Sequence, residues 1–343
     1  MTPDIILEDT PTPSEPLLRL LKSHLPHSLP VLRRLQFALN FSGGRTPHTH
    51  VLYAHYPGDD TNDTKGGHFA AGCVDLSRGP ETQLWIYSSL EHAANNNNHS
   101  KPDAMLRDGY SPIIKADDAE EERALTLVLA ILRRIKAVAA AASTSNSGSD
   151  DVHDGNEGGN RTGEGAPDIL VGSLHETVRQ GLLARGVRMS KAPAVGPEVD
   201  WEFCGKWLFR VEDFPVPPAE GRHEEGLPEG MRWDRVRKED VGVVLARTSI
   251  KRKELDDGTP IAWAFMGDIM ESLGLDGTLM TLHVEEEYRQ RGLAKALACK
   301  LMREHLQDYG DDCWGAADVF VENHKSQALC RSIGGKNSWT LSW

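Results

Sequence analysis

The sequence predicts an α/β (α+β) protein in which a mixed, largely antiparallel sheet is flanked by helices, arranged as two modest domains. Three observations lead there. Short β-branched or aromatic runs recur between segments of helical period. A strand, a tight loop and a helix follow one another without interruption over residues 279–307. Two stretches unable to build a core, residues 143–166 and 213–228, divide the chain. With 343 residues and 39% hydrophobic content, the chain can fill two cores.

Residues 16–35 set leucines among basic and polar residues at helical spacing, and Pro26 and Pro30 break the run into short pieces. The period then changes. Residues 51–56, 69–74 and 83–87 read as three short strands, the last two joined around Arg78-Gly79-Pro80, giving a small antiparallel sheet. His55, His68 and His92 lie in or beside it without convergent spacing, so they read as ordinary histidines and not as metal ligands. Residues 120–142 form a helix with Leu125, Val128, Leu129, Leu132 and Ile135 on one side. Its Arg133, Arg134 and Lys136 exclude a membrane span.

Residues 143–166 consist almost wholly of Ser, Gly, Asn, Asp and Glu and are expected to be disordered, having too little apolar surface to offset their ordering entropy. Order resumes at Ile169-Leu170-Val171, with a helix over 176–185 and a strand over 206–210. The proline-bearing, charged stretch that follows is the better boundary. An N-terminal half over 1–212, a linker over 213–228 and a C-terminal domain over 229–343 result. The C-terminal domain reads as a strand at 231–236, a helix at 239–251, strands at 260–265 and 279–284, the loop, a helix to 307, a strand at 317–321, a helix at 326–332 and a strand at 339–343.

A formal net charge of −13 argues against a general nucleic-acid binder, since backbone binding needs a net basic footprint. Five cysteines without CxxC spacing suggest reduced thiols in a cytoplasmic setting and no zinc site. Residues 1–9 are acidic, and neither a transit peptide nor a signal peptide is visible.

Chemistry concentrates at the loop. Gly292 and Ala294 have almost no side chain, so a ligand can approach the backbone where the freed amides of a helix start point outward with the macrodipole behind them. Such a site suits a phosphate, and Arg289 and Arg291 flank it with guanidinium groups. A Walker loop would need Gly-Lys-Ser/Thr, which is absent. A Rossmann fingerprint would need a third glycine and an acidic residue about twenty positions on. Only Asp311 and Asp312 sit near that distance, after a Gly310 that better serves as a helix cap.

The run Arg289-x-x-Gly292-x-Ala294 resembles the acyl-CoA pyrophosphate loop of the GNAT N-acyltransferase superfamily. Upstream, Gly258-Thr259-Pro260-Ile261-Ala262-Trp263 resembles the Gly-Thr-Pro-Val-Ser-Trp strand of its glycine N-acyltransferase-like (FR47-like) branch, and downstream Val321 to Leu329 resembles that branch's Val-x-x-x-Asn-x-x-Ser/Met segment. The resemblance covers residues 229–343. It implies a GNAT-type sheet, acyl-CoA or acetyl-CoA as co-substrate and no metal. It implies a pyrophosphate held by Arg289, Gln290, Arg291, Gly292, Leu293 and Ala294, backbone contacts to the pantetheine and thioester from Leu282, His283 and Val284, and Asn323 against the cofactor arm. An N-cap for residues 326–332 is an equally good reading of Asn323. The N-terminal half shares the element order alone and reads as a degenerate copy in a tandem, since no such loop precedes residue 212.

The same resemblance places the usual basic glutamate on Thr278, which cannot accept a proton at neutral pH, and the usual tyrosine acid on Cys330. Asp276, His283 and Asp268 are the nearest alternative bases. Cys330 is either the acid or a small buried core residue. His283 alternates with Thr281 and Leu279, so it reaches a cleft only if that strand face is the open one. The implied function is transfer of an acyl group from acyl-CoA to the amine of a small acceptor such as glycine or another amino acid. A non-catalytic or regulatory acyl-CoA-binding module is the rival, because glutamate and tyrosine are missing. A protein acetyltransferase is less favoured, because the acidic chain has no evident docking segment.

Overall fold

The structure is a computed structural model that describes residues 4–41, 43–59, 67–77, 82–96, 118–145, 169–190, 203–215, 233, 262–266 and 277–342. Two compact units are present, the first within Met1–Asn98 and Ile113–Met189, the second within Ser190–Trp343.

The first unit runs β1 (Ile6–Thr10), α1 (Glu15–Ser23), α2 (Leu29–Asn40), β2 (Thr49–His55), β3 (Phe69–Asp75), β4 (Gln83–Ser88), α3 (Ser89–Asn96), α4 (Asp118–Ser145), β5 (Leu170–Gly172), β6 (Leu174–His175) and α5 (Glu176–Ala184). Five strands lie in the order β1-β2-β3-β4-β5, antiparallel except for the parallel β4–β5 pair. The prolines of the first helical run do not all break it. Pro16 and Pro30 sit in the first turns of α1 and α2, where a missing N–H costs nothing, and the break falls between the helices. β1 was not foreseen: its composition is acidic, but Leu7 packs against the core. In α4 the residues with no exposure are Ala124, Leu125, Leu127, Val128 and Ile131, while Leu129 and Leu132 flank them, so the buried stripe is rotated from the expected one. α4 continues through residues 143–145, and 146–166 lie outside the described residues. α5 closes on α4 at Gly181, where a Cβ would collide with the Leu125 side chain.

The second unit holds β7 (Phe203–Arg210), β8 (Ala262–Met266), β9 (Leu279–Val284), α6 (Leu293–Tyr309), β10 (Trp314–Phe320), α7 (His324–Ser332) and β11 (Lys336–Ser342). β7, expected to close the N-terminal half, instead lies between β10 and β11 and is antiparallel to both. An isolated strand cannot satisfy its ladder groups, and here both edges of β7 are paired. Trp207 and Phe209 on β7, Leu279 on β9, Ala317 and Val319 on β10, Ala298, Cys299, Met302 and Leu306 on α6, and Cys330 and Ile333 at α7 form one buried cluster. Leu297 and Leu301, part of the expected apolar stripe of α6, border this cluster and are only partly buried. The expected strand at 231–236 and helix at 239–251 lie outside the described residues, apart from Trp233. Among the described residues no helix is long and apolar enough to cross a membrane.

The first unit also gathers three histidines. His27 Nδ1 lies 3.1 Å from His92 Nδ1, the His24 and His92 rings are 4.8 Å apart, and His24 Nδ1 lies 2.9 Å from Tyr87 Oη. Burial pushes His24 down to about 4 and His175 down to about 3, and it lowers His92 as well. The folded pKa values lie below the ordinary 6.5, so the unfolded chain takes up protons first. Their contribution is complete above about pH 6.5 and is lost as pH falls toward 4. Burial raises the Glu91 carboxyl, which works in the opposite direction. The readout is therefore a difference: between pH 7 and pH 5, His24→Gln should lose less thermal stability than the parent protein. Equal losses would contradict this account of the cluster.

Candidate acyl-CoA site

Among the described residues β9 has a ladder on one side only. Its antiparallel register with β8 pairs Met266 with Leu279, Phe265 with Met280, Trp263 with His283 and Ala262 with Val284. Ala264 therefore faces two residues, Thr281 and Leu282, and β9 carries a bulge that bends it. On the other side β9 meets β10 through a single parallel bridge, Thr278 to Ala316. Among the described residues no further ladder joins them, and β10 is committed to β7. Beyond the bridge β9 and β10 pair with different strands, β9 with β8 and β10 with β7.

β9 leads directly into the loop. A single 3₁₀ turn, Glu286–Tyr288, follows β9, and Tyr288 N donates to Glu285 O at 2.9 Å. Gln290 and Gly292 then take left-handed φ of 62° and 79°. Only glycine adopts that conformation without cost, which is why the helix starts at Gly292. The first hydrogen bond into α6 is Ala296 N to Gly292 O at 3.0 Å, and no side chain caps this end. The amides of Leu293, Ala294 and Lys295 precede that bond and point along the helix axis at the positive end of its dipole, as an anion site requires.

Arg289 Nε donates to Val284 O at 2.9 Å, and Arg291 Nη2 donates to Glu287 O at 3.0 Å. The Arg291 guanidinium also lies 5.3 Å from the Tyr288 ring centroid. Both arginines thus hold the loop's shape, each with other donors left from its five. Leu282 packs at the edge of the α6 cluster, while Val284 and Leu293 form a small cluster with Trp233, Ala262, Tyr288 and Ala294 beside them. Leu282 and Val284 face α6, so His283 between them faces away from it. The bulge breaks the alternation that grouped His283 with Leu279. His283 Nε2 lies 3.8 Å from the Glu285 carboxylate.

Asn323 accepts from Ser326 N at 3.1 Å and caps α7, the second of its two readings. Cys330 is buried in the apolar cluster, and desolvation pushes its thiol up to about 12, a setting suited to packing rather than to proton donation. Thr278 is 5% exposed at the bridge itself. Asp268 and Asp276 lie outside the described residues. Sequence reasoning missed three features. Gln327 is buried and donates to Val321 O at 2.7 Å, tying α7 to the end of β10. Glu285 accompanies His283. Lys206 and Asp318 form an ion pair at 2.7 Å with side chains 0% and 12% exposed. Its signal was a lone charge inside each of two apolar strands, Phe203–Arg210 and Trp314–Phe320. Among the described residues no group of three or more His, Cys, Asp or Glu is placed to hold a metal.

The class of protein follows from comparison with known families. Residues 3–201 match the family described as the acyl-CoA N-acyltransferase verG N-terminal domain, and residues 209–334 match the acetyltransferase (GNAT) family. The chain belongs to the acyl-CoA N-acyltransferase family so described, and it carries two GNAT-type domains in tandem. An X-ray structure of a Drosophila structural-genomics protein is similar in fold, with a TM-score of 0.51 and 15% identity, covering 99% of this chain and 98% of that one. A search of curated proteins returned no match.

If the α6 start is the anion site, Gly292→Glu blocks it by bulk and charge, while Gly292→Ala shares only the left-handed backbone strain of about 1 kcal/mol. Calorimetry with CoA should show no binding to the Glu variant and measurable binding to the Ala variant, both folded. Unchanged affinity in Gly292→Glu would remove the site from this loop.

Proposed function

We propose that this protein transfers an acyl group, acetyl or another short acyl, from acyl-CoA to the amine of a small acceptor such as glycine or another amino acid. The observation that carries this reading is the uncapped start of α6 at the end of a strand that has parted from its parallel neighbour. The helix amides suit the pyrophosphate, and the free edge of β9 over Leu282, His283 and Val284 suits the pantetheine and the thioester carbonyl. Acyl transfer from a thioester to an amine needs no covalent enzyme intermediate; it needs a neutral amine, a polarised carbonyl and a fixed approach. His283 lies on the strand face away from α6, and the reading takes that face as the acceptor's side. All five cysteines are free thiols, in keeping with a reducing, cytoplasmic location.

A second reading, an acyl-CoA-binding module without turnover, draws on the buried threonine at position 278 and the inert thiol of Cys330. One assay separates the two. Thiol release from a series of acyl-CoAs should rise above background with amino acids or other small amines and be negligible with peptides or without acceptor. Tight acetyl-CoA binding with no release across acceptors, up to alkaline pH, would contradict the enzyme and favour the module.

A further inference from the structure

A lysine stands at the start of α6 where both the helix and the core would favour another residue. Ala298, Cys299 and Met302 point into the α6 cluster, and Lys295 precedes them by three, four and seven residues, on the same sheet-facing stripe. An apolar residue would complete that stripe, and a half-buried lysine takes its place. Side chains on a helix lean toward its N-terminus, so Lys295 leans toward the open amides of Leu293 and Ala294. Its charge is felt inside the unit: burial pushes the Cys299 thiol up, and the Arg303 and Lys295 charges pull it back. The other lysines and arginines of the loop and helix are engaged. Arg289 and Arg291 donate to the carbonyls of Val284 and Glu287, Lys300 pairs with Glu304, and Arg303 donates to Pro215 O at 3.1 Å. Among the described residues Lys295 has neither a hydrogen bond nor an ion pair.

In the free protein this position is unfavourable. A helix N-terminus carries the positive end of the dipole and favours acidic residues, yet the first turn of α6 has none and Gly292 brings no capping side chain. By contrast α1 and α5 carry Glu15 and Glu176 in their first turns, and Ser14 and His175 cap them. Lys295 adds a like charge to an end already flanked by Arg289 and Arg291. An anion brought from outside would match all of this, and the acyl-CoA of the matched family carries one in its pyrophosphate. We propose that Lys295 supplies the charge that binds the donor's pyrophosphate, at a cost to the stability of the free protein, while Arg289 and Arg291 chiefly hold the loop's shape. This rests on the acyl-transfer reading above. It also defines the donor class: a thioester that carries a pyrophosphate, as acyl-CoA does, is favoured over the same acyl group on bare pantetheine, because the uncommitted charge is matched only by the former.

Thermal unfolding of the free full chain and calorimetry with CoA test this together. Lys295→Gln removes the charge and keeps most of the length. Without ligand it should melt about 1 to 3 °C above the parent, and it should bind CoA about tenfold more weakly. With 3′-dephospho-CoA, which keeps the pyrophosphate, the variant should show the same loss. Lys295→Arg keeps the charge and should hold CoA affinity within about threefold of the parent, with no gain in melting temperature. An unchanged CoA affinity in Lys295→Gln, a lower melting temperature or a failure to fold would make the lysine a structural residue and overturn the proposal. A loss seen with CoA and absent with 3′-dephospho-CoA would move the contact to the 3′-phosphate and overturn it as well. The reading beneath it is judged separately. If Gly292→Glu abolishes CoA binding while Lys295→Gln leaves it intact, the site stands without this role for Lys295; a parent protein that does not bind CoA would overturn both.

Discussion

The site depends on one constraint: β9 and β10 are parallel neighbours that share one bridge and then pair with different strands. β10 is held by β7 along its whole length, so it cannot follow β9. β9 is held by β8 and bent by the bulge at Thr281 and Leu282, so it cannot follow β10. Backbone groups at a parted edge must be met by water or by a ligand, since an unmet buried group costs about as much as a lost hydrogen bond. The end of β9 that lies beyond the bridge leads through the loop to the uncapped start of α6.

The first unit shows what the same element order does without that constraint. Its parallel pair β4–β5 keeps a three-residue ladder, and α3 begins immediately after β4 with no glycine loop. The start of α3 is closed by its own side chains. Ser88 Oγ accepts from Leu90 N at 3.3 Å, and Glu91 accepts from Ser88 N at 2.9 Å, a reciprocal capping box. The fully buried Glu91 carboxyl would also repel a phosphate were it ionised. α6 has neither device, so the two helix starts differ in chemistry although they follow equivalent strands.

Much of this was legible in the sequence wherever the information is local. β9 spans the six residues its apolar run predicts, and α6 begins at the glycine that the loop requires. Three of the four antiparallel strands of the first unit, β2, β3 and β4, follow from their patterns within two residues at either end. What was not legible is set by distant pairing. Nothing near Phe203–Arg210 says that it will lie between β10 and β11, and Lys206 and Asp318 meet only because it does. The bulge turns His283 away from the face that simple alternation assigns, and it is visible only once β8 is laid beside β9. The arginines of the loop looked like ligand contacts, yet their first partners are the carbonyls of Val284 and Glu287, because a loop with two left-handed residues needs its own ties.

Under the acyl-transfer reading, residues 282–284 of β9 and the start of α6 hold one acyl-CoA molecule between them. Residue-resolved amide hydrogen exchange with and without acetyl-CoA tests it most directly. Leu293, Ala294 and Lys295, whose amides precede the first hydrogen bond of α6, should exchange quickly in the free protein and become protected together with residues 282–284 when acetyl-CoA binds. Acetyl-CoA that binds while these amides exchange at the free rate, with protection elsewhere in the chain, would contradict it.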